Sequence, residues 1–199
     1  MLTEQIAVTL AVAETLEALG VPYAIGGSFA SALHGIMRAT MDADLVADLR
    51  SEQVEPLAKA LGDAFYADVD MMRNAVLQHR SFNLIHLETM FKVDVFVAKP
   101  RAFDRSQLAR RQLQVLSQDP ERHAYVASAE DIVLAKLEWY RLGGETSERQ
   151  WRDVLGVLKV QSHRLDREYM QRMAAELSVA DLLQRAFEET ALTPGKQVI

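Results

Sequence analysis

The chain has 199 residues, 49% hydrophobic and 25% charged, enough for a globular core without disulfide or metal staples. It has no cysteine, which excludes thiolate catalysis, zinc fingers and iron–sulfur clusters and fits a reducing cytoplasm, and its five separated histidines argue against a histidine metal cage. The net charge of −6 argues against broad nucleic-acid binding, and neither a membrane span nor a signal peptide is read in the chain, so a cytoplasmic location is expected.

Residues 3–19 carry apolar positions at helical spacing and run into Gly20, which predicts an amphipathic helix with a glycine stop. Val21 to Ile25 reads as a short buried strand leading into Gly26-Gly27, and residues 28–35 as a short helix closed by Gly35. Residues 43–48 form a second apolar strand, after which Ser51 is expected to cap a helix to Leu61. Residues 81–87 and 91–97 alternate with period two around Glu88-Thr89-Met90, the pattern of an antiparallel hairpin, and residues 112–117 offer one more strand. Lys99, Arg101, Arg105, Arg110 and Arg111 make a local basic cluster, either a solvated helix face or a surface for an anionic partner.

From Ser128 the pattern is helical only. Ser128 with Asp131 and Ser147 with Gln150 form possible capping boxes, Gly143-Gly144 breaks the chain between them, and helices are expected near 129–142, 148–160, 166–177 and 179–190. The expected fold class is α+β, a small mixed sheet flanked by helices (residues 1–127) followed by a helical subdomain (residues 128–199). Trp139 and Trp151 are expected in the core.

Chemistry concentrates at three places. A tight strand-to-helix turn at Gly26-Gly27 exposes backbone N–H groups at a helix N-terminus, and Ser28 adds a hydroxyl, an arrangement that suits a phosphate but also serves as an ordinary turn. Asp42 and Asp44 lie two residues apart on a strand and therefore project from one face, where they suit magnesium or manganese or stand as a solvated strand end. Asp94, between valines on the second strand of the hairpin, either pairs with Lys92 or joins the other two acids in a two-metal site for phosphoryl displacement.

Residues 25–46, Ile-Gly-Gly-Ser-Phe-Ala-Ser-Ala-Leu-His-Gly-Ile-Met-Arg-Ala-Thr-Met-Asp-Ala-Asp-Leu-Val, resemble the active-site signature of the nucleotidyltransferase superfamily. Within that superfamily the segment resembles the AbiEii-like (abortive infection, type IV toxin) group and its uncharacterised bacterial relatives. The resemblance extends more loosely to Asp94 and to Ser-x-Glu-Asp-x-x-x-x-Lys at residues 128–136, covering roughly residues 21–160. It implies a DNA polymerase beta-like fold and Mg2+- or Mn2+-dependent transfer of a nucleoside monophosphate from an NTP such as ATP to a hydroxyl acceptor. By position, Gly26, Gly27 and Ser28 would hold the triphosphate, Asp42 and Asp44 the metal, and Asp94 would be the third acid. The acceptor is open among tRNA, protein and small molecule. A toxin role would add an antitoxin partner.

Accessory candidates are Arg38 and Thr40, ahead of the acid pair, and Lys136, placed between Ile132 and Tyr140 on an apolar helix face with Asp131 expected on the opposite side. A buried lysine needs a partner, either a bound phosphate or an internal acid. Asp153 follows Arg152 at the edge of the next apolar face and is a weaker candidate. A catalytically silent binding module of the same fold is the alternative function, although all three candidate acids are present.

Overall fold

The structure is a computed structural model and describes residues 2–34 and 42–192. Residues 2–30 and 42–128 gather into one compact unit, and residues 31–34 and 129–192 into a second.

The first unit is built on a seven-stranded mixed sheet. Its strands are β1 (Tyr23–Ile25), β2 (Asp42–Ala47), β3 (Phe65–Tyr66), β4 (Ser81–His86), β5 (Lys92–Val97), β6 (Gln112–Gln118) and β7 (Glu121–Val126), in the order β3-β4-β5-β2-β1-β7-β6. β2 runs parallel to β5 and β1 parallel to β7; the other neighbours are antiparallel. Strand alternation sends Ala43, Leu45 and Ala47 of β2, Val93, Val95 and Val97 of β5, and Phe82 and Leu84 of β4 into the core. The even-numbered positions of β2 and β5, which carry the acids, face the other way and are half-buried.

Helix α1 (Leu2–Ala18) packs on β2 and β7 and buries Leu10, Val12 and Leu16. It ends as its sequence requires. Gly20 adopts φ +66°, while the Gly20 and Val21 N–H groups donate to the Glu17 and Leu16 carbonyls. Helix α2 (Gly27–His34) follows β1 directly. Ser51 does not cap a helix; it opens a single 3-10 turn (Ser51–Gln53), and α3 (Val54–Leu61) follows. The Gln53 side chain reaches back to the Arg50 N–H, so the cap bond comes from the far end of that turn.

α4 (Val69–Gln78), β3 and β7 add to the elements expected from the sequence, and α5 (Ala102–Ala109) is a helix inside the basic 99–111 segment. β7 supplies the partner that the strand at 112–118 needs. Its apolar signal is short, only Ala124 and Val126 being fully buried. α5 carries part of the basic cluster, whose charges are partly engaged: Arg101 bonds Asp104, and the Arg111 guanidinium lies 4.5 Å over the Tyr125 ring.

The second unit consists of the last turn of α2 with α6 (Ala129–Leu142), α7 (Glu148–Gln161), α8 (Arg167–Glu176) and α9 (Ala180–Leu192). α6 packs on α7 and α8, and α9 closes against α7 and α8. The Ser147 hydroxyl accepts from the Gln150 N–H and caps α7. Trp151 is core, but Trp139 is half-exposed: it sits one position before the inward-facing Tyr140, and that rotation along the helix turns it to the rim. No helix among the described residues is long and apolar enough to cross a membrane.

Candidate active site

β1 ends at Ile25, and the Gly26 N–H donates to the Asp44 carbonyl at 2.7 Å, extending the β1–β2 ladder into the turn. Gly27 then starts α2 at φ +57°, a left-handed conformation that strains any residue with a side chain. A second constraint falls on the same atom. A Cβ on Gly27 would lie 1.7 Å from Asp44 Oδ2 and 2.5 Å from its Cγ. The glycine therefore clears the space in which the Asp44 carboxylate stands, beside the N-terminal turn of α2 where Ser28 also lies. A helix N-terminus favours negative charge, so this is an electrostatically suitable place for a carboxylate.

β2 and β5 then set the acids side by side. In their parallel register Asp42 is opposite Lys92 and Asp44 is opposite Asp94. Register partners on neighbouring strands project from the same face about 4.8 Å apart, so three carboxylates and one ammonium form a two-by-two block. Lys92 Nζ is 2.7 Å from Asp94 Oδ2, and Asn83, the partner of Asp94 on β4, donates from Nδ2 to Asp94 Oδ1 at 2.9 Å. The Lys92 ammonium is held above the ordinary lysine range, first by its hydrogen bond to Asp94. Partial burial opposes the rise, and the charges of Asp94, Asp42 and Asp44 add to it.

Asn83 was not legible as a site residue. The only signal was its place on an alternating strand. With a three-residue connection Leu87 would oppose Phe91, and Asn83 would face Val95. Instead His86 and Phe91 close the hairpin, with the His86 N–H donating to the Phe91 carbonyl at 2.9 Å and Met90 at φ +56°. One residue of loop length moves Asn83 onto Asp94.

The donor set fits a divalent cation in its chemistry: three hard carboxylates on one face, already grouped around a positive charge. Among the described residues no three His, Asp or Glu side chains stand as a ready ligand shell, and Asp94 is engaged by Lys92 and Asn83.

Comparison with known proteins agrees with this arrangement at the level of architecture. No protein-family model and no curated protein matches the chain. Among solved structures, the chain is similar to an antigenic nucleotidyltransferase-like protein from Paracoccidioides brasiliensis (TM-score 0.55, 18% identity, 93% of each chain covered). It is also similar to the antibiotic-resistance factor ANT(2'')-Ia (TM-score 0.54, 14% identity, 95% of this chain and 100% of that one). The fold is nucleotidyltransferase-like.

The remaining candidates divide. Arg38 and Thr40 lie outside the described residues. In the helical unit, Lys136 Nζ is 2.9 Å from Asp153 Oδ2, both side chains being largely buried, so the lysine on the apolar face of α6 meets an acid of α7. Asp131 is not on a solvated side. It is fully buried and accepts a hydrogen bond from the Tyr169 hydroxyl, because α8 packs there. Neighbouring Glu130 accepts from the Asp166 N–H, and Asp166 caps α8 through the Tyr169 N–H. The acids of the 128–136 segment thus anchor α8 to the start of α6.

Proposed function

We propose that the protein is a metal-dependent nucleotidyltransferase that moves a nucleoside monophosphate from an NTP to a hydroxyl acceptor. The observation that carries this reading is the placement of Asp44: over the Gly26–Gly27 turn on one side and in register with Asp94 on the other. The fold likeness supports it.

Asp42 and Asp44, with Asp94 as the third acid, would hold a divalent ion, Mg2+ or Mn2+, which would supply charge neutralisation of the triphosphate. The chain does the rest. The turn at Gly26-Gly27-Ser28 would bind phosphate oxygens through the Gly27 and Ser28 backbone N–H groups and the Ser28 hydroxyl, the Gly26 N–H being committed to the Asp44 carbonyl. Asp94 takes the proton of the acceptor hydroxyl as its oxygen bonds the α-phosphorus and the bond to the pyrophosphate oxygen breaks. Likeness to an antibiotic-resistance factor favours a small-molecule acceptor; RNA, or a protein in a toxin–antitoxin setting, are the other acceptors to test.

One observation favours a second reading, a silent nucleotide-binding module: Asp94 is bound by Lys92 and Asn83. The test is incubation with α-labelled NTPs, Mg2+ and, separately, total RNA, cell lysate and small hydroxyl compounds. Label on any acceptor that disappears in Asp42→Ala supports the enzyme. An NTP-dependent rise in melting temperature without transfer to any of them supports the silent module.

A further inference from the structure

We propose that Lys92 is a built-in competitor of the divalent ion, a positioning residue that holds Asp94 in an ion pair until metal displaces its ammonium. The inference rests on the reading that Asp42, Asp44 and Asp94 take a metal.

Lys92 and Asp94 are two residues apart on β5 and share a face, so one strand carries both the acid and the cation that occupies it. Lys92 is opposite Asp42 in the register, which puts its stem beside the second acid as well. The two partners differ in mobility. The Asp94 side chain is 14% exposed and is held from the far side by Asn83, whereas Lys92 is 41% exposed and reaches in from the rim on a flexible four-carbon stem. The lysine is therefore the member able to leave. The charges of Asp94, Asp42 and Asp44 all act on the ammonium, so a divalent ion entering the block meets the same acids with twice the charge of a lysine. Lys92 accordingly stabilises the metal-free protein and weakens metal binding.

The experiment is titration of the full chain with Mn2+ alone, at one pH, by calorimetry and by electron paramagnetic resonance of free Mn2+. The variants are wild type, Lys92→Met, Lys92→Arg and Asp44→Asn, each checked for folding by circular dichroism. Lys92→Met is expected to bind Mn2+ about tenfold tighter than wild type, the scale of one charge removed a few ångströms away. It should also melt lower without metal and recover with it, while Lys92→Arg stays near wild type. Equal or weaker Mn2+ binding in Lys92→Met, with binding still lost in Asp44→Asn, overturns the competition but keeps the metal site. No Mn2+ binding in wild type or in either Lys92 variant overturns both.

Discussion

Asp44 Oδ2 stands 1.7 Å from the point a Cβ on Gly27 would occupy. The turn residue and the acid are thus one structural unit, although seventeen positions separate them in the chain. Adding a methyl at Gly27 cannot be absorbed locally, since φ +57° already disfavours it and the obstructing atoms belong to the candidate site itself.

Gly20 provides the control. It has φ +66°, and a Cβ there would meet nothing within 4 Å. Gly20→Ala should cost about 1–2 kcal/mol, the left-handed penalty alone. Gly27→Ala should cost about 1–3 kcal/mol more through displacement of Asp44. Urea unfolding of both variants measures the difference, and equal costs would remove the close approach from the account.

Tyr23 gives a pH prediction. Its hydroxyl is buried, donates to Glu17 Oε1 at 2.5 Å and accepts from the Tyr125 N–H at 3.2 Å. Burial, then the hydrogen bond to Glu17, push its pKa well above the ordinary tyrosine range, against the pull of the Tyr125 N–H. A raised folded pKa means that the stabilisation is complete below the unfolded value near ~10 and is lost as pH rises from there toward the folded value. The urea midpoint should therefore fall above about pH 10, and Tyr23→Phe should flatten that fall while costing about 1 kcal/mol at neutral pH.

The Lys136–Asp153 pair should behave as a buried ion pair. Lys136→Met leaves Asp153 without its ammonium and should cost about 3–5 kcal/mol, whereas Lys136→Met with Asp153→Leu should recover part of that loss. A double-mutant cycle by chemical denaturation reads the coupling; strict additivity would mean that the 2.9 Å contact contributes nothing.

Helix ends show how far local sequence reaches. α1 and α6 end through Gly20 and Gly144, whose positive φ is legible because glycine adopts it at least cost. α4 and α8 end with the same pair of backbone bonds, but His79 and Ser178 hold the positive φ. Neither residue type announces a helix end as glycine does, and the apolar stripe of α4 is blurred because Met71 and Leu77 are exposed.

The site divides in the same way. That Asp42 and Asp44 share a face follows from the period of a strand, and that a glycine turn precedes a helix follows from backbone sterics; covalent geometry fixes both without any partner. Which residues meet those acids depends on strand register. The parallel β2–β5 pairing put Asp94 beside Asp44 and Lys92 beside Asp42, and a hairpin one residue longer than its alternation suggested brought Asn83 to Asp94. Lys136 shows the limit most plainly. Its position on an apolar face showed that it needed a partner, but only the packing of α6 on α7 decided that the partner is Asp153. Short-range periodicity is a property of the chain, whereas register and ion pairing are set by contacts between segments far apart in sequence.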